Sequence, residues 1–260
     1  MATSQPSTWT DLALAERAVP RYTSYPTALQ FKPDIGPATY ADWLAALPAA
    51  ASLSLYVHVP FCASMCAYCG CHTKVVRRRT PIDRYLARLL AEIDLIADLT
   101  PARDIRRLHW GGGTPTTLGM DSMHEVVGHM ARRFDLTRIG EHAVELDPRH
   151  VDAEIARGLA GMGVTRVSLG VQDLNPHVQQ AIGRVQPFEV VARAVDALQG
   201  VGITGLNIDL MYGLPDQSVD DLQRSIAHVL ELAPNRIALF GYAHVPWFKT
   251  HQRLIPESAL

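Results

Sequence analysis

Leu53-Ser-Leu-Tyr-Val-His-Val59 runs through Pro60 and Phe61 into Cys62-Ala-Ser-Met-Cys66-Ala-Tyr-Cys69-Gly-Cys71, so an apolar strand pattern ends directly in all four cysteines of the chain. Thiolates packed this densely suit a soft metal or a cluster better than scattered core positions. A disulfide framework needs an oxidising compartment, and the first twenty residues show no basic start followed by an apolar run, as a secretory leader would. Structural zinc usually draws two short cysteine pairs from well-separated segments, whereas one loop supplies everything here. Buried thiols account for one or two cysteines at most. A ferredoxin-type cluster wants a C-x2-C-x2-C run, which this spacing does not match. The best reading is an iron–sulfur cluster held by three cysteines, with one iron left open for a substrate or cofactor.

Outward from this stretch the chain alternates. Strand-like runs follow at Ile105–Trp110, His142–Leu146, Arg166–Val171, Gly205–Leu210 and Arg236–Gly241. Helical patterns separate most of them. Thr80-Pro81-Ile82-Asp83 predicts a helix start with a capping hydroxyl and a proline at the first position, followed by a stripe of Ile82, Leu86, Leu89, Ile93 and Ile96. Asn175-Pro176 and Ser218-Val-Asp220-Asp221 predict starts of the same kind, and Asp152 caps a helix ending near Gly161 or Gly163.

Strand–helix alternation of this kind implies parallel crossovers and an α/β fold. A full eight-unit barrel takes about 250 residues. Only six strands are visible, so a partial (β/α)6 barrel over residues 51–260 fits better, with a doubly wound sheet as runner-up. Residues 1–50, rich in Pro, Ser, Thr and Ala, read as a mostly irregular arm with a short helix near Tyr40–Leu47.

The 260 residues are 48% hydrophobic and 19% charged with a net charge of −2, which suits a folded domain and gives no general attraction to nucleic acid or anionic membrane. No apolar run approaches the roughly 18 residues of a membrane span, so a soluble cytoplasmic protein is expected. The basic stretch Lys74 to Arg79 reads first as a solvated loop and second as an anion-attracting patch.

In a parallel α/β fold the site lies at the carboxyl ends of the strands. Those ends carry His58, Gly111-Gly112-Gly113-Thr114, Glu145-Leu-Asp147, Gln172-Asp173, Asp209 and Tyr242-Ala-His244. The triple glycine suits close backbone approach to a ligand, its N–H groups facing a carboxylate or phosphate; the competing reading is a tight turn. Glu145 and Asp209, if buried, each need a donor. Arg184 alone reads equally as a surface arginine. His58, His109 and His244 are open between metal ligation and packing.

The C-x3-C-x2-C loop after the first strand resembles the radical S-adenosylmethionine enzymes, and more narrowly the oxygen-independent coproporphyrinogen III oxidases. The resemblance rests on Pro20-Arg-Tyr-Thr-Ser-Tyr-Pro-Thr-Ala28, Leu55 to Cys62, Cys69-Gly-Cys71, His109 to Thr116, Gly170 to Asp173, Asn207 to Leu210, Tyr212 to Pro215 and Tyr242 to His244. It implies that Cys62, Cys66 and Cys69 hold a 4Fe-4S cluster and that Cys71 is no ligand but is needed for activity. It implies two S-adenosylmethionine molecules, the first contacting Tyr56, Tyr68, Gly112 and Glu145, the second Gly113, Thr114, Gln172, Arg184, Asp209 and Ala243.

The implied reaction removes hydrogen from a propionate β-carbon by a 5′-deoxyadenosyl radical and releases carbon dioxide. Done twice, it turns coproporphyrinogen III into protoporphyrinogen IX. An electron donor such as a flavodoxin or ferredoxin and a monomeric state are implied too. Arg21 and Arg77–Arg79 are candidate cations for the anionic substrate. Family members continue with a C-terminal cover domain, so the expectation for a chain ending at Leu260 is a truncated one with weak or no activity. A haem-binding chaperone is the alternative, as is another haem-modifying enzyme of the superfamily; such chaperones typically lack Cys71 and the Tyr25–Ala28 arm.

Overall fold

The computed structural model of the chain describes residues 30–260. The Pro20–Ala28 segment and Arg21 lie outside the described residues. Of those described, residues 30–43 fall in one unit and 44–260 in another. Helix α1 (Pro37–Ala45) buries none of its residues.

The larger unit begins with β1 (Ser52–Val59), then β2 (Phe61–Cys62) and β3 (Lys74–Val75), α2 (Arg79–Leu99), β4 (Asp104–Gly112) and α3 (Met120–Arg133). It continues through β5 (Glu141–Leu146), α4 (Ala153–Gly161), β6 (Arg166–Gln172), α5 (Pro176–Ala181) and α6 (Phe188–Gln199). The last elements of this alternation are β7 (Gly205–Tyr212), α7 (Val219–Glu231) and β8 (Arg236–Gly241). Six strands form one parallel sheet in the order β1-β4-β5-β6-β7-β8. This sequential order is that of a partial barrel and excludes the doubly wound alternative, which reverses direction at an inner strand. Among the described residues β1 and β8 are not paired with each other.

The strands alternate, which is unusual for a parallel sheet covered on both faces. One face carries Val57, Val59, Leu108, Trp110, Val144, Leu146, Val167, Leu169, Leu206, Ile208 and Leu210, in one core with Ile82, Leu89, Met123, Val126, Leu159, Val195 and Val229 of the helices. Removal of this apolar surface from water is the main force holding helices to sheet. The intervening residues, Tyr56, His58, His109, Glu145, Ser168, Asn207 and Asp209, are polar and contact one another across the strands. The polar half of the alternation is the floor of the site.

Local signals hold in part. Ser218 and Asp221 form a reciprocal capping box on α7, and Asp152 accepts from Glu154 and Ile155 N–H at the start of α4. The start expected at Thr80 differs: α2 begins at Arg79 without a side-chain cap, because Arg79 ties the turn to Asp83, Ser122 and the Leu118 carbonyl. Asn175 caps no N–H of α5; its amide instead donates to Asp173, the Asp221 carbonyl and Ser225. Tertiary partners outcompete the local cap in both places.

Candidate functional site

An open cleft with a volume of about 160 Å3 lies at the carboxyl ends of the strands. All the cluster and S-adenosylmethionine residues implied by the resemblance line it except Tyr56 and Ala243, whereas His58, His109, Asp173 and His244 do not. Tyr56 stands at its rim, 57% exposed, with its hydroxyl 3.1 Å from His58 Nδ1 and its ring against His109. The Ala243 carbonyl accepts from Gln252 Nε2 at 3.2 Å.

The cysteine loop crosses the cleft with all four thiols free. Its start is paired through the two-stranded β2–β3 ribbon, a feature too short to show in the sequence. Cys62 Sγ meets the Thr73 hydroxyl at 3.1 Å and accepts from Thr114 Oγ1 at 3.7 Å. Cys66 is buried and receives Nη1 of Arg184 at 3.5 Å and Nη2 of Arg149 at 3.9 Å. The Cys69 thiol is pulled below its ordinary pKa, first by a hydrogen bond from the Cys71 thiol, and that same pairing pushes Cys71 up. A lowered thiol pKa favours the thiolate, the form that binds metal.

Among the described residues no three Cys, His, Asp or Glu side chains gather as a single metal ion would require. His58, His109 and His244 instead contact Tyr56, Glu145 and Tyr242. Three free thiols that line one cleft fit a polynuclear iron–sulfur cluster, which takes its ligands on different irons.

Glu145 is not the buried acid the sequence suggested: its side chain is 40% exposed, with Oε1 3.1 Å from His109 Nε2 and Oε2 accepting from Gly112 N–H at 3.2 Å. The glycines serve close packing more than open N–H donation. Gly112 has φ +109°, and a Cβ on Gly113 would lie 2.4 Å from the Phe61 carbonyl. The N–H groups of Gly113 and Thr114 bond to the carbonyls of Val59 and Phe61, so neither faces a ligand.

Asp209 accepts from Ser168 and Asn207 and meets no cation directly; burial raises it above the usual carboxylate range. Arg184 is not a surface arginine. It is 7% exposed, pairs with Asp147 at 3.2 Å and donates to the Gly170 carbonyl at 2.6 Å, while its Nε has no hydrogen-bond partner.

Sequence reasoning passed over Arg149, His251 and Gln252. Arg149 follows Asp147-Pro148 at a strand end, which is a signal of place though not of contact. His251 Nε2 lies 2.6 Å from the Cys69 carbonyl, and buried Gln252 donates to the Tyr68 carbonyl at 2.8 Å; nothing in their sequence surroundings announces either. Arg79 of the basic run is engaged structurally, while Arg77 and Arg78 are exposed. No helix among the described residues is long and apolar enough to cross a membrane.

The profile of the radical SAM superfamily matches residues 56–229. The chain is 49% identical over 253 residues to the oxygen-independent coproporphyrinogen III oxidase of Bradyrhizobium diazoefficiens, a match covering 96% of this chain and 56% of the relative. It is 46% identical over 250 residues to the protein of the same name from Paracoccus denitrificans, covering 96% and 55%. The solved structure of coproporphyrinogen III oxidase from Escherichia coli, described as a radical SAM enzyme, superimposes with a TM-score of 0.88 at 37% identity, covering 96% of this chain and 56% of that one. The chain spans about half the length of the curated relatives it matches.

Proposed function

The chain belongs to the radical SAM superfamily, and from that premise we propose that its site serves the oxygen-independent oxidative decarboxylation of two propionate side chains of coproporphyrinogen III, giving protoporphyrinogen IX. One observation carries the reading. The cleft gathers Cys62, Cys66 and Cys69 with the rim residues Gly112, Glu145, Gln172, Arg184 and Asp209, in a chain matched over 96% of its length by relatives named for this reaction.

Cys62, Cys66 and Cys69 would hold the 4Fe-4S cluster, leaving Cys71 as a thiol at the exposed edge of the loop. Bound together, the cluster and S-adenosylmethionine supply the radical chemistry that takes hydrogen from a propionate β-carbon. The protein's share is binding, orientation and exclusion of water. Glu145, anchored by Gly112 N–H and His109, leaves part of its carboxylate open to a ligand amine or hydroxyl. Tyr56 and Tyr68 flank this first S-adenosylmethionine position. The second is formed by Gly113, Thr114, Gln172, Arg184, Asp209 and Ala243, where Asp209 meets a ribose hydroxyl and Arg184 supplies positive charge at the wall. Arg21 and Arg77–Arg78 remain the candidate cations for substrate carboxylates. A flavodoxin or ferredoxin would deliver electrons to a monomeric, cytoplasmic enzyme. In domain terms, residues 51–260 form the barrel.

The test is anaerobic incubation of iron- and sulfide-reconstituted protein with S-adenosylmethionine, a low-potential reductant and coproporphyrinogen III. Protoporphyrinogen with 5′-deoxyadenosine is the expected product pair. If 5′-deoxyadenosine forms without protoporphyrinogen, even when the chain carries the relatives' C-terminal half, the substrate assignment falls. Tight haem binding without S-adenosylmethionine cleavage would establish a carrier instead.

A further inference from the structure

Cys62 and Cys66 line the same cleft but have unlike surroundings. Cys62 meets two hydroxyls, those of Thr73 and Thr114. Cys66 meets two guanidinium groups that share one carboxylate. Arg149 clasps Asp147 through Nε at 3.0 Å and Nη2 at 2.6 Å, and the same Nη2 points to Cys66 Sγ at 3.9 Å. Arg184 Nη1 reaches Asp147 Oδ2 at 3.2 Å and Cys66 Sγ at 3.5 Å. The carboxylate is 8% exposed and held below its usual range: burial alone would raise it, but the Arg149 hydrogen bonds and the nearby Arg184 charge prevail. Asp147 is therefore a charged strut that fixes both cations against one sulfur.

Arg149 approaches from outside the cleft. It lines an adjoining hollow with Thr117, Asp152 and Ile155, which meets the cleft at Ala63, Thr114 and His150, and it is not itself part of the cleft wall. Arg184, by contrast, is on the wall and belongs to the proposed second ligand position. A change at Arg149 therefore alters the charge at Cys66 without deleting a ligand contact.

We propose that Arg149 is a positioning residue that raises the reduction potential of the iron–sulfur cluster ligated by Cys66, with Asp147 holding it in place. This rests on the radical SAM reading of the site. One-electron reduction adds negative charge to a cluster, so a fixed cation and an N–H donor at a ligand sulfur favour the reduced form. Arg149 is one-fifth exposed, so its charge is only partly screened.

The experiment compares reconstituted wild type with Arg149→Met, Arg149→Lys and, as a control, Arg157→Met, which removes an exposed arginine from α4. Iron and acid-labile sulfide are measured first, then the midpoint potential by an anaerobic titration followed by electron paramagnetic resonance. Arg149→Met is expected to keep its iron, with a more negative potential and a several-fold smaller reduced fraction at the wild-type midpoint. Arg149→Lys should fall between, since it keeps the charge and loses the fixed fork; Arg157→Met should match wild type. An iron-loaded Arg149→Met with the wild-type potential overturns this proposal alone. Loss of the cluster from both Arg149 variants overturns it in favour of a purely structural role. Wild-type protein that takes up no iron and sulfide overturns the reading of the site, and this proposal with it.

Discussion

Cys66 and Cys71 sit on the same short loop, and the two ends of that loop are held by different chemistry. At the buried end, Arg149 and Arg184 act on the Cys66 sulfur itself. At the exposed end the two thiols of Cys69 and Cys71 pair with each other, and the contacts from the rest of the protein fall on backbone carbonyls: Lys249 Nζ donates to Cys71 O at 2.9 Å, His251 lies 2.6 Å from Cys69 O, and Gln252 donates to Tyr68 O. Charge placed on a sulfur changes the electronics of whatever the sulfur ligates, whereas a hydrogen bond to a carbonyl mainly fixes where the loop lies. The loop thus has an electrostatic end and a mechanical end.

The strongest way to break this contrast is to exchange sulfur for oxygen at each end. Cys66→Ser should abolish iron and sulfide uptake, because a serine hydroxyl is a poor partner for the soft site. Cys71→Ser should take up wild-type amounts. Equal losses in metal analysis would show that Cys71 is also a ligand and that the two ends are not distinct.

Next in size is Asp147→Asn, which leaves Arg184 buried without its counter-charge and should cost about 3 kcal/mol in denaturant unfolding near pH 7. The pH dependence has a defined sign. A carboxylate held below its unfolded pKa of about 3.9 stabilises the fold above that value and loses the effect as pH falls through the folded pKa. The gap between wild type and Asp147→Asn should therefore be full at pH 6 and narrow below about pH 4. A gap that stays constant down to pH 3 would exclude the ion pair as its source.

The smallest effect is expected at the mechanical end. Gln252 is fully buried, donates to the Tyr68 and Ala243 carbonyls and accepts from Val245 N–H. Gln252→Leu leaves these groups unpaired and should cost about 2 kcal/mol. Hydrogen exchange at the Cys69–Cys71 amides should speed up while the potential of a reconstituted cluster stays at the wild-type value. A potential shift as large as that of Arg149→Met would erase the distinction between the ends.

The sequence made some of this plain. Its strand positions agree with the structure to within two residues at every end, since a run such as Gly205-Leu-Asn-Ile-Asp-Leu210 carries its period of two in consecutive letters. The same run holds a clue that was passed over: Asn207 and Asp209 alternate with Leu206, Ile208 and Leu210, which marks a sheet with a polar inner face. The capping box at Ser218 was legible because both partners lie within one turn. The helix start assigned to Thr80 failed because Arg79 reaches Ser122, far along the chain, and no local pattern encodes that.

The sequence by itself determined the α/β alternation, the cysteine loop at the end of the first strand and the polar character of every strand end. These are local properties, set by residue type and spacing. Only the tertiary structure decided that Arg184 is buried against Cys66, 118 residues away, that Gln252 grips the loop across 184 residues, and that Gly113 packs against Phe61 and Thr73, its N–H bonded to the Val59 carbonyl. Those facts depend on strand register and on which loops meet above the sheet, and they exist only once the parallel strands have aligned their carboxyl ends.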